Sequence, residues 1–471
     1  MRRALLLALT LLTGCATYRA QPITSTQLAR QFEERSLAND NLRAYIAHEL
    51  GHDVQRWRPA HWNREMLTIA AYYYSPALDV ARAQWGTAKA GIDVANEIPN
   101  PVLQLPFQYS TPNPGSGSAF TTGLALDIPL ETASKRGYRV EQASRLSEVA
   151  RLNIVNEAWK VRTQIRDALL TLYAASERST ILARKAADER KIAEMSRKRL
   201  AVGAGSASDI NAAVLADTQA QSDLTATRSA KQDARARLAA AIGLPVRALD
   251  GITIDLNDFD ITPPIPLATD ARRDAVLHRT DLLASLANYA VAESTLQLEV
   301  AKQYPDIHLG PGYTYDTGTN KVAFGLAGIT LPIFNQNQGG ILRAEAKRKE
   351  AAARTATLQD AIIGDLDRAR AHYQSSIHAL SVSEEHLLAA QKQLASEAVG
   401  FGAGNVDRLT YTQAKAAYET SEIAHLDVIV LVQQAAGALE DTMQRPFGST
   451  GFLLLGNQAV RKNLIKQEIE R

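Results

Sequence analysis

Apolar and polar side chains alternate strictly in two stretches of the chain, residues 101–130 and 305–333. In the first stretch one face of the predicted strands carries Leu103, Leu105, Phe107, Tyr109, Leu124, Leu126, Ile128 and Leu130. In the second stretch the same pattern sets Ile307, Leu309, Tyr313 and Tyr315 opposite His308, Gly310, Gly312 and Thr314. A period of two residues predicts β-strands, and about ten such residues with one apolar face are typical of strands that span an outer membrane. Turn residues divide each stretch, so we predict one β-hairpin in each.

The last of these strands breaks the pattern near Gly328. Apolar residues up to Leu326 share one face, whereas those from Ile329 onwards share the opposite face. A change of phase within a strand predicts a β-bulge, and glycine often marks such a position. The half-buried edge of a soluble β-sandwich shows the same alternation, so the strands alone leave that alternative open.

A long helical segment follows each hairpin. Residues 142–202 contain neither proline nor glycine, and residues 341–399 contain only Gly364. Apolar residues recur at steps of two to five positions, as in Ile154, Trp159, Val161, Ile165, Leu169 and Leu172. Such a stripe suits helix-on-helix packing, and at 1.5 Å per residue each segment would be about 90 Å long. In each half the chain then returns through a shorter segment, residues 212–242 or 409–443, which has about half as many residues as the outgoing helix.

The breaks between outgoing and returning helices have matching sequences, LAVGAGSASDIN and VGFGAGNVDRL. The glycines predicted to supply the positive φ angles that end a helix are Gly203, Gly205, Gly402 and Gly404. The residues predicted to cap the returning helices are Ser206, Ser208, Asp209, Asn405 and Asp407. Each half of the chain therefore contains a helical hairpin whose tip lies far from its β-hairpin.

All these features occur twice at a nearly constant spacing. Pro129 and Pro332 are 203 positions apart, as are Gly137 and Gly340. Solenoid units are only about 20–50 residues long, so we interpret the chain as a duplicated half-protein. The predicted organisation is a signal peptide at 1–14, an N-terminal segment at 15–75, a first repeat at 76–268 (β-hairpin 101–130, tip 203–209), a second repeat at 269–446 (β-hairpin 305–333, tip 402–408) and a C-terminal tail at 447–471.

The N-terminus has the pattern of a bacterial export signal. Arg2 and Arg3 precede an apolar run that is too short to span a bilayer. The run closes with the sequence LTGC, which resembles a lipoprotein processing box. We therefore predict cleavage before Cys15 and lipidation of its thiol. Cys15 is the only cysteine in the chain, and lipidation accounts for an unpaired cysteine in an exported protein.

Charge and hydropathy exclude two further classes. The chain has 52 Lys and Arg against 50 Asp and Glu, and removal of the signal peptide takes away Arg2 and Arg3. The mature chain is then neutral, which gives no electrostatic basis for binding nucleic acid. After the signal peptide no run approaches 18 apolar residues, so no transmembrane helix is predicted. A membrane crossing would therefore require a closed barrel.

One motif suggests a different chemistry. His48-Glu49-Leu50-Gly51-His52 matches the H-E-x-x-H pattern of zinc hydrolases. No third ligand follows at a recognisable spacing, and Gly51 weakens the helix that the motif requires. We interpret the motif as a helix end near Gly51, with a zinc metalloprotease as the less favoured alternative. The sequence otherwise shows no catalytic constellation, so we predict no enzyme, no cofactor and no bound metal.

The chain resembles the TolC-type outer membrane factors, which are the efflux ducts of tripartite pumps. The residues that carry the resemblance are Cys15, the repeated Pro76-Ala77-Leu78 and Thr280-Asp281-Leu282, the strand entries Asn100-Pro101 and Tyr304-Pro305, and the V-G-x-G tips with Asp209 or Asp407-Arg408-Leu409. The resemblance covers residues 15 to about 446. It implies an α+β membrane protein that forms a homotrimer with a 12-stranded outer-membrane β-barrel, to which each chain contributes four strands. It also implies a coiled-coil helical tunnel through the periplasm.

The resemblance also implies partners and a gate. A periplasmic adaptor and an inner-membrane pump would work with this passive duct, and we expect the four tip glycines, as the exposed distal ends, to dock the adaptor. Acidic residues just past the tips are expected to line a constricted aperture, and the candidates are Asp209, Asp407 and Arg408. An alternative for Asp407 is an ordinary helix cap. In the functional interpretation, Asp407 and Arg408 of neighbouring chains pair and hold the duct closed.

The number of strands in each chain independently supports an oligomer. Four strands cannot close a barrel without edges exposed to lipid, and eight leave an interior filled by side chains. Three copies are the smallest assembly that leaves a water-filled lumen. A periplasmic coiled-coil lipoprotein with a structural role is the alternative, and it would be water-soluble once Cys15 is replaced. The transported substrate is not predicted, because a wide duct selects little.

Overall fold

The structure, a computed structural model, describes residues 18–52, 57, 59, 61–111, 119–316 and 318–447. The predicted signal peptide, Cys15 and nearly all of the predicted C-terminal tail lie outside these residues. The described chain is a set of very long helices with a small antiparallel sheet at one end. The internal duplication governs how these elements are arranged.

The N-terminal segment packs beside the long helices. Its elements are α1 (Ser25–Glu33), α2 (Asp40–Leu50), β1 (His61–Trp62) and α3 (Arg64–Tyr74). Asn39 caps α2 and Asn63 caps α3, each through a side-chain oxygen that accepts a backbone N–H. Leu42, Tyr45 and Leu67 are buried in the largest hydrophobic core, together with residues of the long helices. This packing makes the segment part of the body of the protein.

The elements of the two repeats follow in the same order. The first repeat contains α4 (Pro76–Asn96), β2 (Val102–Gln104), β3 (Phe107–Tyr109), β4 (Phe120–Leu130), α5 (Lys135–Ala201), α6 (Ala207–Ile242) and β5 (Thr253–Ile254). The second contains α7 (Ala268–His278), α8 (Thr280–Ala301), β6 (Ile307–Asp316), β7 (Thr319–Ile329), α9 (Gln338–Gly402) and α10 (Arg408–Met443). Two short 3-10 helices flank β5, at Val246–Leu249 and Asn257–Asp260. β5 pairs in parallel with β1.

The duplication is visible in backbone geometry as well as in element order. Ser134 and Asn337 precede α5 and α9, and they are 203 positions apart. Both adopt the left-handed conformation, with φ of 58° and 62°. A non-glycine residue in this region is uncommon, so the same turn from strand to long helix has been kept in both repeats.

The hairpin strands of both repeats form one antiparallel sheet in the order β2, β4, β6, β7, with β3 also paired to β4. β2 and β3 share one register on β4, since Val102 lies opposite Asp127 and Phe107 opposite Thr122. They form one strand, which is interrupted where Pro106 has no N–H to donate. The central pair, β4 with β6, joins the two repeats. The sheet therefore has four strands, as predicted.

The predicted bulge near Gly328 is confirmed. His308 lies opposite Gly328, but the next residue, Leu309, lies opposite Leu326, so β7 has one extra residue at this point. The bulge explains why the alternating pattern changes phase along β7.

Large apolar side chains cover one face of the sheet and are open to the surroundings. The most exposed of them are Leu103, Leu105, Phe107, Tyr109, Leu124, Val322, Phe324 and Leu326. Soluble monomers rarely carry so large an apolar patch. The two edge strands, β2/β3 and β7, also have no partner on their outer sides among the described residues. The sheet is therefore suited to lipid and to pairing with further strands.

Helices α5 and α9 contain 67 and 65 residues, which corresponds to about 100 Å each. The returning helices α6 and α10 contain 36 residues each. The two helical hairpins pack on each other through α5 and α10. Among the described helices, α10 alone is long and apolar enough to cross a bilayer by composition, with a mean hydropathy of 1.3 over 18 residues. Its Val432, Ala435 and Leu439 are buried in a core shared with α7, α8 and α9.

Candidate functional site

The tip of the first helical hairpin is built by local backbone chemistry. α5 ends at Ala201, and Gly203 adopts a left-handed φ of 73°. The Ser206 side chain accepts the Asp209 N–H at 3.1 Å, and the Asp209 carboxylate accepts the Ser206 N–H at 2.9 Å. This capping box begins α6. Because Asp209 accepts the Ser206 N–H, its pKa lies below the ordinary value, and the side chain is charged throughout the neutral range.

The tip of the second helical hairpin follows the same plan with different residues. Gly404 takes the left-handed φ of 79°, and Asp407 caps α10 by accepting the Thr410 N–H at 2.8 Å. The pKa of Asp407 is lowered by this bond. A Cβ at Gly400 would lie 2.6 Å from Cγ2 of Val406, so the turn closes tightly around a position without a side chain.

The four tip glycines do not have the same backbone role. Gly203 and Gly404 have positive φ, whereas Gly205 and Gly402 do not, so each tip has one glycine in the left-handed conformation that ends a helix. One residue in the left-handed conformation is enough to end a helix, as in other helix C-caps. Gly205 lies against the Arg199 side chain, where an added Cβ would have a tight contact of 3.3 Å. Gly402 is the last residue of α9 and faces open space.

Asp407 also joins the two tips. Its Oδ2 lies 3.0 Å from Nη1 of Arg199, near the end of α5. Sequence reasoning gave Asp407 a partner in Arg408 of a neighbouring chain and missed Arg199, which is 208 positions away. Within the chain, Asp407 is both a helix cap and one half of an ion pair between the helical hairpins. Asp209 and Asp407 therefore lie in neighbouring tips, where the sequence placed them.

Further ion pairs hold α5 to α10. Near the middle of the hairpins Arg184 pairs with Glu422 at 2.5 Å, and Arg178 pairs with Asp427. At the opposite end from the tips, the buried Arg166 donates to the Gly437 carbonyl and to Oδ2 of Asp441, both at 2.8 Å. These pairs define the α5–α10 interface along its length, and sequence periodicity gave no indication of them.

Gly437 makes room for the buried Arg166. A Cβ at Gly437 would lie 2.5 Å from Cζ of the Arg166 guanidinium. Trp159 donates its indole N–H to Oδ1 of Asp441 at 3.0 Å, which orients the carboxylate toward Arg166. Glu440, also buried, lies 3.1 Å from Arg162. A buried charge without a partner is costly, so this cluster fixes how the two repeats pack.

A second polar cluster joins the sheet to the helices. The buried Lys135 ammonium at the start of α5 donates to the Tyr304 carbonyl at 2.6 Å and to Asp306 Oδ1 at 2.8 Å. The Thr132 N–H donates to the same Asp306 oxygen. The entry to β6 is therefore tied to the exit from β4. This cluster sets the direction in which the sheet leaves the helical body.

The H-E-x-x-H match does not form a helical zinc motif. α2 ends at Leu50, and Gly51 takes a left-handed φ of 72°, so His52 lies beyond the helix. The predicted helix end near Gly51 is thus confirmed. Glu49 is buried and contacts its neighbour His48 at 3.2 Å, while the His52 ring contacts the Leu50 carbonyl. In the described part of the chain, no group of three or more His, Cys, Asp or Glu side chains could hold a metal ion.

An apolar sheet whose outer strands are unpaired among the described residues, joined to helices of about 100 Å, is the arrangement expected of an outer-membrane channel protein with a long helical extension. The sequence profile described as outer membrane efflux protein matches residues 71–244 and 271–443, once in each repeat. The chain therefore belongs to the outer membrane efflux protein family. It is 25% identical over 373 residues to the cobalt-zinc-cadmium resistance protein CzcC of Cupriavidus metallidurans, an alignment that covers 78% of this chain and 86% of CzcC.

Solved structures share the fold. The outer membrane protein VceC of Vibrio cholerae superposes with a TM-score of 0.64 at 20% identity, over 82% of this chain and 96% of VceC. The outer membrane channel CmeC of Campylobacter jejuni gives a TM-score of 0.65 at 12% identity, over 95% of this chain and 94% of CmeC.

The family establishes the role and location of the chain. It is the outer-membrane channel component of a tripartite efflux pump, and it extends from the outer membrane into the periplasm. Members of the family form trimers and work with a periplasmic adaptor and an inner-membrane pump. The predicted fold class, with strands for an outer-membrane barrel and a long helical tunnel, is confirmed.

Proposed function

We propose that three copies of this chain close a 12-stranded barrel in the outer membrane and a helical tunnel in the periplasm. The observation that supports this most directly is the pair of open sheet edges, β2/β3 and β7, beside an apolar sheet face. Unpaired backbone groups cannot remain exposed to lipid, so each edge needs a strand from another copy. Three copies of four strands meet this requirement and leave a lumen.

The remaining parts of the proposal concern the two ends of the duct. Residues 1–14 are removed and the Cys15 thiol is lipidated, which anchors the chain in the outer-membrane lipid. The tips at Gly203, Gly205, Gly402 and Gly404 dock the adaptor, because they lie at the ends of the helical hairpins farthest from the sheet. The duct itself performs no catalytic step and takes no cofactor. It is a passive exit whose energy comes from the inner-membrane pump.

The proposed aperture includes one residue, Arg199, that the sequence did not suggest. Asp209, Asp407 and Arg408 lie at the two tips, at the start of the returning helices. The contact of Asp407 with Arg199 gives the gate an interaction within the chain, in addition to the proposed pairing of Asp407 with Arg408 of a neighbour. Separation of the tips would break this contact first. We therefore include Arg199 among the residues that hold the aperture closed.

For the cargo we propose divalent transition-metal cations. The relative CzcC is described as a cobalt-zinc-cadmium resistance protein, and its alignment spans both repeats. A duct accepts what its pump delivers, so kinship with a metal-resistance protein indicates the class of pump more than a binding site in the duct. The experiment therefore measures the growth of cells in medium that contains these metal ions, with the cognate adaptor and pump present.

The experiment compares a strain that lacks this chain with strains that carry it or a variant. The wild-type chain is expected to restore growth in zinc, cobalt or cadmium but not in organic toxicants. Gly402→Trp should abolish this restoration while the amount of trimer in the membrane is unchanged, because the added ring obstructs docking. Gly364→Trp, on the same helix and also facing open space, is the matched control and should restore growth.

Two results would contradict these proposals. Restored growth in organic toxicants alone would exclude a metal cargo. Loss of trimer in Gly402→Trp would show that this glycine serves only to end α9.

A further inference from the structure

At one position along the α5–α10 interface, two carboxylate side chains face each other. The ion pairs along these antiparallel helices set a register in which Arg184 faces Glu422 and Arg199 faces Asp407. In the same register Asp188 faces Glu419. At neighbouring levels a cation on α5 meets an anion on α10, but at this level both side chains are carboxylates. The exception lies 11 residues into α10, about 17 Å from its start at the tip.

Glu419 is buried, and one oxygen of its carboxyl has no hydrogen-bond donor. Only 6% of the residue is exposed, and its Oε2 has no hydrogen-bond partner. Asp188 is also buried, but it contacts Lys191 Nζ at 2.7 Å. Two small apolar clusters lie on either side of this level, one around Leu182 and Ala220 and the other around Ile192 and Ala213. The carboxyl of Glu419 is therefore buried between these clusters, and the next residue, Thr420, lines a cavity of about 580 Å³ that extends to the tips.

The groups around Glu419 do not neutralise it. The charged residues that act on Glu419 or on the nearby Glu189 are Arg184, Lys185, Asp188, Asp217 and Glu422, which lie on α5, α6 and α10. Arg184 is engaged by Glu422. Burial, followed by the charge of Asp188, raises the pKa of Glu419 to about 7. Burial also raises the pKa of Glu189, which is next to Asp188.

We propose that Glu419 is a proton-binding latch between the two helical hairpins. With a proton bound, its carboxyl is neutral and α10 packs on α5 beside Asp188. Without the proton, two negatively charged carboxylates face each other while largely buried. Their repulsion separates the helices at this level, and water can then reach both carboxylates. This level lies close to the proposed aperture, so separation of the hairpins here widens the distal end of the duct.

The direction of the pH dependence follows from linkage. A carboxyl whose pKa is higher in the packed state stabilises packing fully below its ordinary pKa, and this contribution is lost as the pH rises through about 7. Between pH 6 and pH 8 the equilibrium should shift about tenfold per chain toward separated helices. An acidic periplasm would keep the hairpins packed, and an alkaline one would loosen them.

The test measures hydrogen exchange of the purified full-length protein in detergent with EDTA, at pH 6, 7 and 8. Exchange in residues 183–193 and 414–424 is corrected for the intrinsic effect of pH on amide exchange. In the wild type, protection should fall about tenfold between pH 6 and pH 8. Glu419→Gln, which stays neutral, should keep its protection at pH 8. Asp427→Asn is the matched control: it loses the contact with Arg178 in the same interface, its charge is not among those that act on Glu419, and it should retain the pH step.

A second variant keeps the proposal testable if Glu419→Gln fails to assemble. Asp188→Asn removes the facing negative charge, so the midpoint of the step should move to lower pH. An unchanged midpoint there, a wild-type pH step in Glu419→Gln, or no step in the wild type would each overturn the latch. The effect on conductance rests on the proposed trimeric duct, whereas the exchange measurement does not. If hydrogen exchange shows the pH step but the protein forms no conducting channel in planar bilayers, the result contradicts the trimeric duct and leaves the latch supported.

Discussion

At Gly310 the backbone of β6 passes so close to β4 that a methyl group has no room. A Cβ there would lie 1.5 Å from the Leu126 carbonyl oxygen, far inside any contact distance. At Gly312, two residues along the same strand and on the same face, a Cβ would meet the Cβ of Ala125 at 3.7 Å, an ordinary contact. The two glycines therefore differ in steric demand although they lie two residues apart on the same face of one strand.

We expect Gly310→Ala to reduce assembly of the barrel strongly and Gly312→Ala to leave it nearly unchanged. The alanine at position 310 would force β4 and β6 apart at the junction of the two repeats, where the sheet cannot yield without losing its register. The measurement is the fraction of heat-resistant trimer in outer-membrane extracts by gel electrophoresis. Equal trimer in both variants would show that β4 and β6 lie farther apart than the structure places them.

Residue-level predictions from the sequence succeeded where the partners are local. Caps at Ser206 and Asp407 were among the candidates, because a cap depends on residues only three positions away. The partners of Asp407 and Asp441 could not be found in this way. Arg199 and Arg166 lie 208 and 275 positions from them, and no periodicity connects positions so far apart.

At the scale of elements, the period of apolar residues located the strands and long helices because each buries or exposes a continuous face. It was less informative in two places. The spacing of apolar residues in 27–50 is helical throughout and predicts one helix, but the chain forms two helices, α1 and α2, separated around Ser36. The first strand was predicted as continuous and is interrupted at Pro106, which cannot donate to the ladder.

The ion pair between α5 and the start of α10 gives a prediction about the aperture. Arg199→Ala, Asp407→Ala and Arg408→Ala should each raise single-channel conductance in planar bilayers, because each removes a charge proposed to hold the tips together. An exposed pair contributes only about 0–1 kcal/mol. Three equivalent pairs in a trimer would still shift a closed-to-open equilibrium measurably.

The tip pair and the Glu419 latch should respond to different pH ranges. The pKa of Asp407 is lowered by its bond to the Thr410 N–H, so its contribution is present above the ordinary value of 3.8 and is lost only as the pH falls below it. Conductance changes between pH 6 and pH 8 should therefore persist in Arg199→Ala. If all three tip variants conduct like the wild type, Asp407 is only a helix cap and none of the three residues gates the duct.

At the scale of the whole molecule, two features would hold the chain in the membrane. One is the apolar sheet closed by neighbouring copies, and the other is the lipid proposed on Cys15. Lipoprotein-type processing attaches two acyl chains to the cysteine thiol through glycerol, and two chains are enough for stable anchoring. A closed barrel places apolar side chains from every strand in the hydrocarbon layer. Either feature alone should therefore hold the chain at the membrane, but only the closed barrel should give a trimer that conducts.

Replacement of the lipidated residue separates these contributions. Cys15→Ser should abolish lipid attachment, measured by incorporation of labelled fatty acid, while a large part of the protein still forms trimers that require detergent for extraction. Gly310→Ala with Cys15 intact is the complementary variant, because it should keep the lipid and lose the barrel. Its chains should remain membrane-bound as lipidated species that do not conduct. If Cys15→Ser instead yields a fully water-soluble periplasmic monomer, the strands do not enter the membrane and the chain is a lipid-anchored coiled-coil protein.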